Sequence, residues 1–233
     1  MEEFKPAVPV SALNQDSRVA FYKKTYTNLA FAILLFIVVE YLLLQVDFIV
    51  NLGIQLIQSW AWLLVLGGFM FASNFVERMA ATSKDKSTQY LALFVYVVFE
   101  ALIFVPLIYI AIQYSEATTQ NVLWQAAIIT LSLFTGISVV GFITKKDFSF
   151  LKSIITIGGF IAIGLILAAY IGGIHLGFWF CAGMVVLAAA SILYQTSNMI
   201  HKYEEDQYVA ASLGLFASLM LLFWYIVSMF LSE

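Results

Sequence analysis

Long apolar runs, each near the 20 or so residues that carry a helix across a bilayer, recur along the chain from residue 27 onward. Seven spans are predicted, at 27–46, 52–75, 89–112, 121–143, 151–171, 176–200 and 207–230. The stretches between them, "QVDFIVN", "ERMAATSKDKS", "QYSEATTQN", "TKKDFS", "GGIHLG" and "HKYEEDQ", are too short to hold a domain. The expected fold is therefore all-α, one seven-helix transmembrane domain over 27–231 behind a tail of residues 1–26. Within that tail, residues 1–20 carry Pro6 and Pro9 among mixed polar residues and offer no apolar face to bury, so disorder is expected there. No internal repeat at a fixed period is visible.

Composition strengthens this picture. The chain is 63% hydrophobic and 11% charged, whereas about a quarter of the residues of a soluble domain are charged. Ten of the eleven lysines and arginines fall in the tail or in the second, fourth and sixth connections, and Lys152 stands at the start of the fifth span beside the fourth. Such residues stay on the cytoplasmic side, so the N-terminus is expected inside and the C-terminus outside. The tail shows no cleavable signal, and the first span is expected to serve for targeting.

Few residues suggest catalysis. There is no H-E-x-x-H, no paired aspartate motif and no glycine-rich phosphate loop. The best nucleophile, Ser138 in "TGISVVG", would need His175 or His201 as its base. His175 lies at the opposite end of the bundle, and His201 sits in a loop rich in Glu and Lys. A non-enzyme is expected, with Ser138 bonding its own helix or a neighbour. The lone Cys181 permits no internal disulfide and reads as a packing residue. No cofactor, metal centre or nucleic-acid partner is expected.

Carboxylates inside the spans carry more information, because a charge there is costly and normally faces the bundle interior. Glu100 lies near the middle of the third span, where a protonated or hydrogen-bonded carboxyl is expected. Glu40 lies in the outer half of the first span, between outward snorkelling and an interior partner. Asp47 reads as a solvated cap. Pro106 permits a kink six residues beyond Glu100. In "TKKDFSFLKS", Lys145 and Lys146 mark a helix end, and Asp147 or Ser149 is expected to cap the next helix.

The stretches "ITKKDFSFLKSIITIG", "ILYQTSNMIH", "YVAASLGLFASLMLLF" and "FVYVVFEALIFVPLI" resemble the Bax-inhibitor family of seven-helix membrane proteins, in particular its bacterial YccA-type branch. The resemblance runs from about residue 90 onward. It implies a multi-pass protein of the bacterial inner (plasma) membrane that modulates the membrane-anchored protease FtsH, with the tail as contact. The alternative it implies is a leak channel for calcium or protons, closed by a carboxylate pair between the sixth and seventh spans. Those acid positions fall here on Gln195 and Ser218, so the pH latch is expected to be absent. Gln195 and Asn198, three apart on one face, are expected to bond across helices instead.

Overall fold

The computed structural model describes residues 8–118, 120–144 and 146–232. Residues 1–7, the first part of the expected tail, and Lys145 of the fourth connection lie outside them. After a 3-10 turn at Val10–Ala12 come α1 (Gln15–Leu44), α2 (Asp47–Ile57), α3 (Ala61–Thr82) and α4 (Lys86–Thr118). They are followed by α5 (Val122–Thr144), α6 (Leu151–Gly172), α7 (Phe178–His201) and α8 (Tyr208–Leu231). Seven of these helices are long and apolar enough to cross a membrane. No strand forms among the described residues.

The helices depart from the expected boundaries in two places. The first is the tail, in which α1 already begins at Gln15. The Ser17 amide donates to Asn14 Oδ1 at 2.8 Å, satisfying one free N–H of the first turn. Phe21 and Thr25, inside the stretch expected to be a tail, are buried. Val10 is buried as well, and its amide donates to the Tyr203 carbonyl at 2.9 Å. Expecting disorder here overlooked that the segment has a partner elsewhere in the chain, the α7–α8 loop.

The second is the span placed at 52–75. The apolar run after Asp47 instead closes as an 11-residue helix, α2, too short to cross. Gln58 and Ser59 end it, with the Ser59 hydroxyl donating to the Leu56 carbonyl at 3.0 Å. The crossing helix is α3, which carries Ser73 and Glu77 well inside its length. Asp47, expected as an end cap of the first span, opens α2 from an exposed position. α2 lies on α4 at its proline: a Cβ on Gly53 would stand 3.3 Å from Pro106 Cδ. The ring occupies space that only a glycine leaves open, and α4 runs through Pro106 without ending.

α8 is the buried centre, touching α1, α3, α4, α5 and α7, whereas among the described residues α6 packs on α7 alone. Between α5 and α7 the approach is close. A Cβ on Gly141 would lie 2.7 Å from Thr196 Cγ2 and 3.1 Å from its Cβ. Thr196 is β-branched, and its hydroxyl is committed to the Ile192 carbonyl at 2.8 Å, so it cannot turn away. Gly141→Ala should therefore destabilise by about 1–3 kcal/mol. Thermal unfolding in detergent measures this, and adding Thr196→Ala should recover most of the loss.

Candidate functional site

The polar run Gln195-Thr-Ser-Asn198 on the last turns of α7 spends each side chain differently. Thr196 bonds back into its own helix. Ser197 accepts the Phe148 amide at 2.9 Å, tying the α5–α6 turn to α7. Asn198 Nδ2 donates to Gln195 Oε1 at 3.5 Å, while Asn198 Oδ1 is buried without a partner. The bond expected across helices is thus made along α7.

In the same turn, Asp147 Oδ1 accepts from the amide and hydroxyl of Ser149, which hold its carboxyl below the usual carboxylate range. α6 starts after Phe150, which gives no side-chain cap. The expected cap is instead a closed turn ahead of the helix. Ser197→Ala should leave the Phe148 N–H unsatisfied and cost about 1–3 kcal/mol. Limited proteolysis of the 146–150 turn should then show earlier cleavage.

Gln195 and Ser218, the two expected acid positions, face the same α7–α8 seam but do not bond each other. Gln195 lies over Gly214, where a Cβ would meet the amide carbon and oxygen at 2.9 Å. Ser218 donates to the Gly214 carbonyl at 3.0 Å and pairs with Ser191 Oγ at 2.8 Å. A hydroxyl has one proton, so Ser191 is the donor in that pair. The seam is closed by neutral hydrogen bonds a turn apart.

Gln195 also lines a cavity of about 200 Å³ at the lysine-bearing end, with Glu77, Arg78, Ala81 and Tyr203. Burial, and then the Glu77 carboxylate, push the Tyr203 phenol up. Glu77 is half-buried there. From it a ladder of polar groups leads inward along the α3–α4 seam. Ser73 and Glu77 on α3, four apart, face Tyr96 and Glu100 on α4, also four apart. Tyr96 meets Phe69 of α3 with ring centroids 6.2 Å apart, and Ser73 Oγ is buried without a hydrogen-bond partner.

Glu100 is 6% exposed, and its Oε2 has no hydrogen-bond partner. It faces the interior. Glu40 is 5% exposed with both oxygens unpartnered, so it does not snorkel. The two are separated by an aromatic layer. Phe104 packs edge-on to Phe36 at 5.2 Å and to Trp224 at 4.9 Å, and Phe36 meets Phe216 at 6.3 Å. α1 and α4 run in the same direction. Glu40 lies four residues beyond Phe36 and Glu100 four residues before Phe104, which separates the two carboxylates by about 12 Å along the helices.

Ser138 is buried with no hydrogen-bond partner, contrary to the expected helix or neighbour bond. It shares a mostly apolar groove between α1 and α5 with Tyr26. His201 ends α7 with its Nε2 unpartnered, and His175 is exposed in the loop before α7. Neither histidine lines that groove. Sequence reading missed Glu77, Ser73 and Tyr96. With the second span placed at 52–75, Glu77 fell in a connection. The signal available was the matched four-residue spacing on two consecutive apolar segments.

A bundle of seven membrane-length helices, its last helix at the centre and carboxylates buried within it, defines a polytopic membrane protein. The profile of the family described as inhibitors of apoptosis-promoting Bax1 matches residues 18–233, and the chain belongs to this Bax inhibitor family. The match includes the first helices, which the resemblance from residue 90 had left out. Among similar proteins is Bax inhibitor 1 of Schizosaccharomyces pombe, 26% identical over 236 residues, covering 96% of this chain and 80% of the yeast protein. Another is an uncharacterized protein of Pseudomonas aeruginosa, 36% identical over 113 residues. That match spans 47% of this chain and half of the Pseudomonas protein.

Proposed function

We propose that this protein is an ion-permeation protein of a bacterial inner membrane, held closed in this conformation, with its lysine-bearing end in the cytoplasm. The observation that carries the reading is the pair of buried carboxylates, Glu100 and Glu40, with unpartnered oxygens on either side of an aromatic layer. A bundle that served only as an anchor gains nothing from such groups, which are costly in hydrocarbon and characteristically mark ion paths. Purified protein in liposomes, assayed separately for calcium and proton entry, tests it. Protein-dependent flux of either ion is expected, and none for both would remove the reading. For orientation, single cysteines at Gln120 and Lys84 in a Cys181→Ala background should differ in intact cells. Only the first is expected to react with an impermeant reagent.

A second reading, modulation of the FtsH protease, draws on the YccA-type resemblance and on one contact. The Pro9–Val10 segment is pinned on the α7–α8 loop at the lysine-bearing end. Deleting residues 1–7 while keeping that contact should lengthen or shorten the half-life in a pulse-chase only when the protease is present.

A further inference from the structure

We propose that the groove between α1 and α5 binds one acyl chain of a bilayer glycerolipid, whose ester carbonyl accepts from the Tyr26 and Ser138 hydroxyls. This site is separate from the buried carboxylates and stands independently of the ion-permeation reading. The groove encloses about 400 Å³, within the range of small-ligand pockets. Among the described residues the backbones of α1 and α5 do not come close, although both pack on α4 and α8. Aromatic rings bridge them instead: Phe142 of α5 meets Tyr22 edge-on at 5.1 Å and Tyr26 at 6.1 Å. Beneath these rings the walls are mostly apolar, with Leu29 on one and Phe134 on the other.

Two hydroxyls interrupt that surface. Ser138 is 5% exposed and Tyr26 is half-buried, and neither hydroxyl has a hydrogen-bond partner. Thr25, Thr196 and Ser218 each donate to the carbonyl four residues back in their own helix. Ser138 makes no such bond and lines an opening instead. In hydrocarbon no water can accept its proton, so the acceptor has to arrive with the occupant.

The lining selects what that occupant is. No charged side chain lines the groove. A carboxylate there would lose its hydration without gaining a cation, whereas a neutral carbonyl oxygen offers two lone pairs to hydroxyl donors. Depth and length agree with an ester. Lys23, exposed three residues before Tyr26 and on the same face, stands about 5 Å nearer the lysine-bearing end. That is the level of a lipid phosphate above its ester. From Phe142 to Leu131 the groove follows α5 for eleven residues, about 16 Å. One leaflet holds about 15 Å of hydrocarbon, the depth of a single chain. Ala30 and Leu131 are exposed, so the chain enters sideways from the bilayer.

The test titrates the full chain, purified in detergent and stripped of lipid, with dioleoyl phosphatidylglycerol, and counts bound lipid by native mass spectrometry. A diether lipid with the same head group and chains lacks the ester carbonyls. Wild type should bind the diester about tenfold more tightly than the diether, the scale of a hydrogen bond. Tyr26→Phe combined with Ser138→Ala should bind both lipids alike, at the affinity wild type shows for the diether. Equal binding of the two lipids by wild type overturns the ester site and leaves only an apolar face in contact with the bilayer. Oleic acid that binds more tightly than the diester, and is lost in the double variant, overturns it in favour of a free fatty acid.

Neither substitution removes an existing hydrogen bond, so the lipid-free double variant should unfold at or above the wild-type temperature. The diester–diether comparison on wild type decides the matter even if that variant fails to fold. Ala30→Trp, which fills the groove from its open side, should abolish the preference for the diester. A preference that survives Ala30→Trp would place the lipid elsewhere on the protein and overturn the assignment to this groove.

Discussion

Glu100→Lys should prevent the bundle from assembling, whereas Glu100→Gln should fold with nearly unchanged stability. Glutamine keeps the length and planar shape of the side chain and removes the charge from a buried position. Lysine places a fixed cation one turn from Phe104, where α4 is closed in by aromatic rings. A charge at the centre of a membrane helix costs about 2.5–3.5 kcal/mol even by insertion measurements. The loss grows when the charge stays unpaired among packed side chains, where breaking a buried pair alone costs about 3–5 kcal/mol. Set against the few kcal/mol by which folded proteins are stable, the sum is enough to unfold the protein. Fluorescence-detected size exclusion of tagged variants reads this directly. A monodisperse Glu100→Lys peak at wild-type yield would mean that the site holds water and is not sealed from the cavity at the lysine-bearing end.

The depth of Glu100 was legible in the sequence because depth along a helix follows from residue count alone. The partners of Glu100 were not, since they depend on where α3 begins. Hydropathy averages over a window, and the run from residue 46 to 75 averages as apolar although Gln58 and Ser59 break it into α2 and α3. Moving that boundary carries Glu77 from a loop into the seam that faces Glu100.

The polar cluster at Gln195 illustrates the opposite case. Residue types alone predict that it must be hydrogen-bonded, and most of it is. Which bonds form was set by the facing helix and turn. Gly214 opposite Gln195 accommodates the long amide, Ser191 claims Ser218, and the Phe148 amide claims Ser197. None of these pairings has a local sequence signature, because the partners lie 19 to 49 residues away in the chain. The tail shows the same limit. Val10 is ordered by Tyr203, a contact that no reading of residues 1–20 in isolation could contain.

Replacing Gln195 and Ser218 together with aspartate should create a calcium flux that switches between about pH 6 and 8, which neither single variant shows. The two positions lie on one seam about a turn apart, Gln195 over Gly214 and Ser218 bonded to the Gly214 carbonyl. Aspartates there would stand close, the one at 195 beside the cavity and the one at 218 buried. Two like charges so placed cannot both be carried cheaply, so the pair titrates as a unit. With one proton shared, α7 and α8 stay bridged. Once both are ionised, repulsion separates two helices that now share an extensive contact. A single aspartate faces Ser191 or the neutral Gln195 and has no like charge to repel. The native carboxylate near this seam is Glu77, in the cavity that Gln195 also lines, together with Arg78 and Tyr203. A double variant carrying Glu77→Gln therefore serves as the control and should keep the switch. Loss of the switch in that control would place the pH-sensitive group on α3. A wild type that already admits calcium with a sharp pH dependence would show that the neutral seam is not what sets calcium entry.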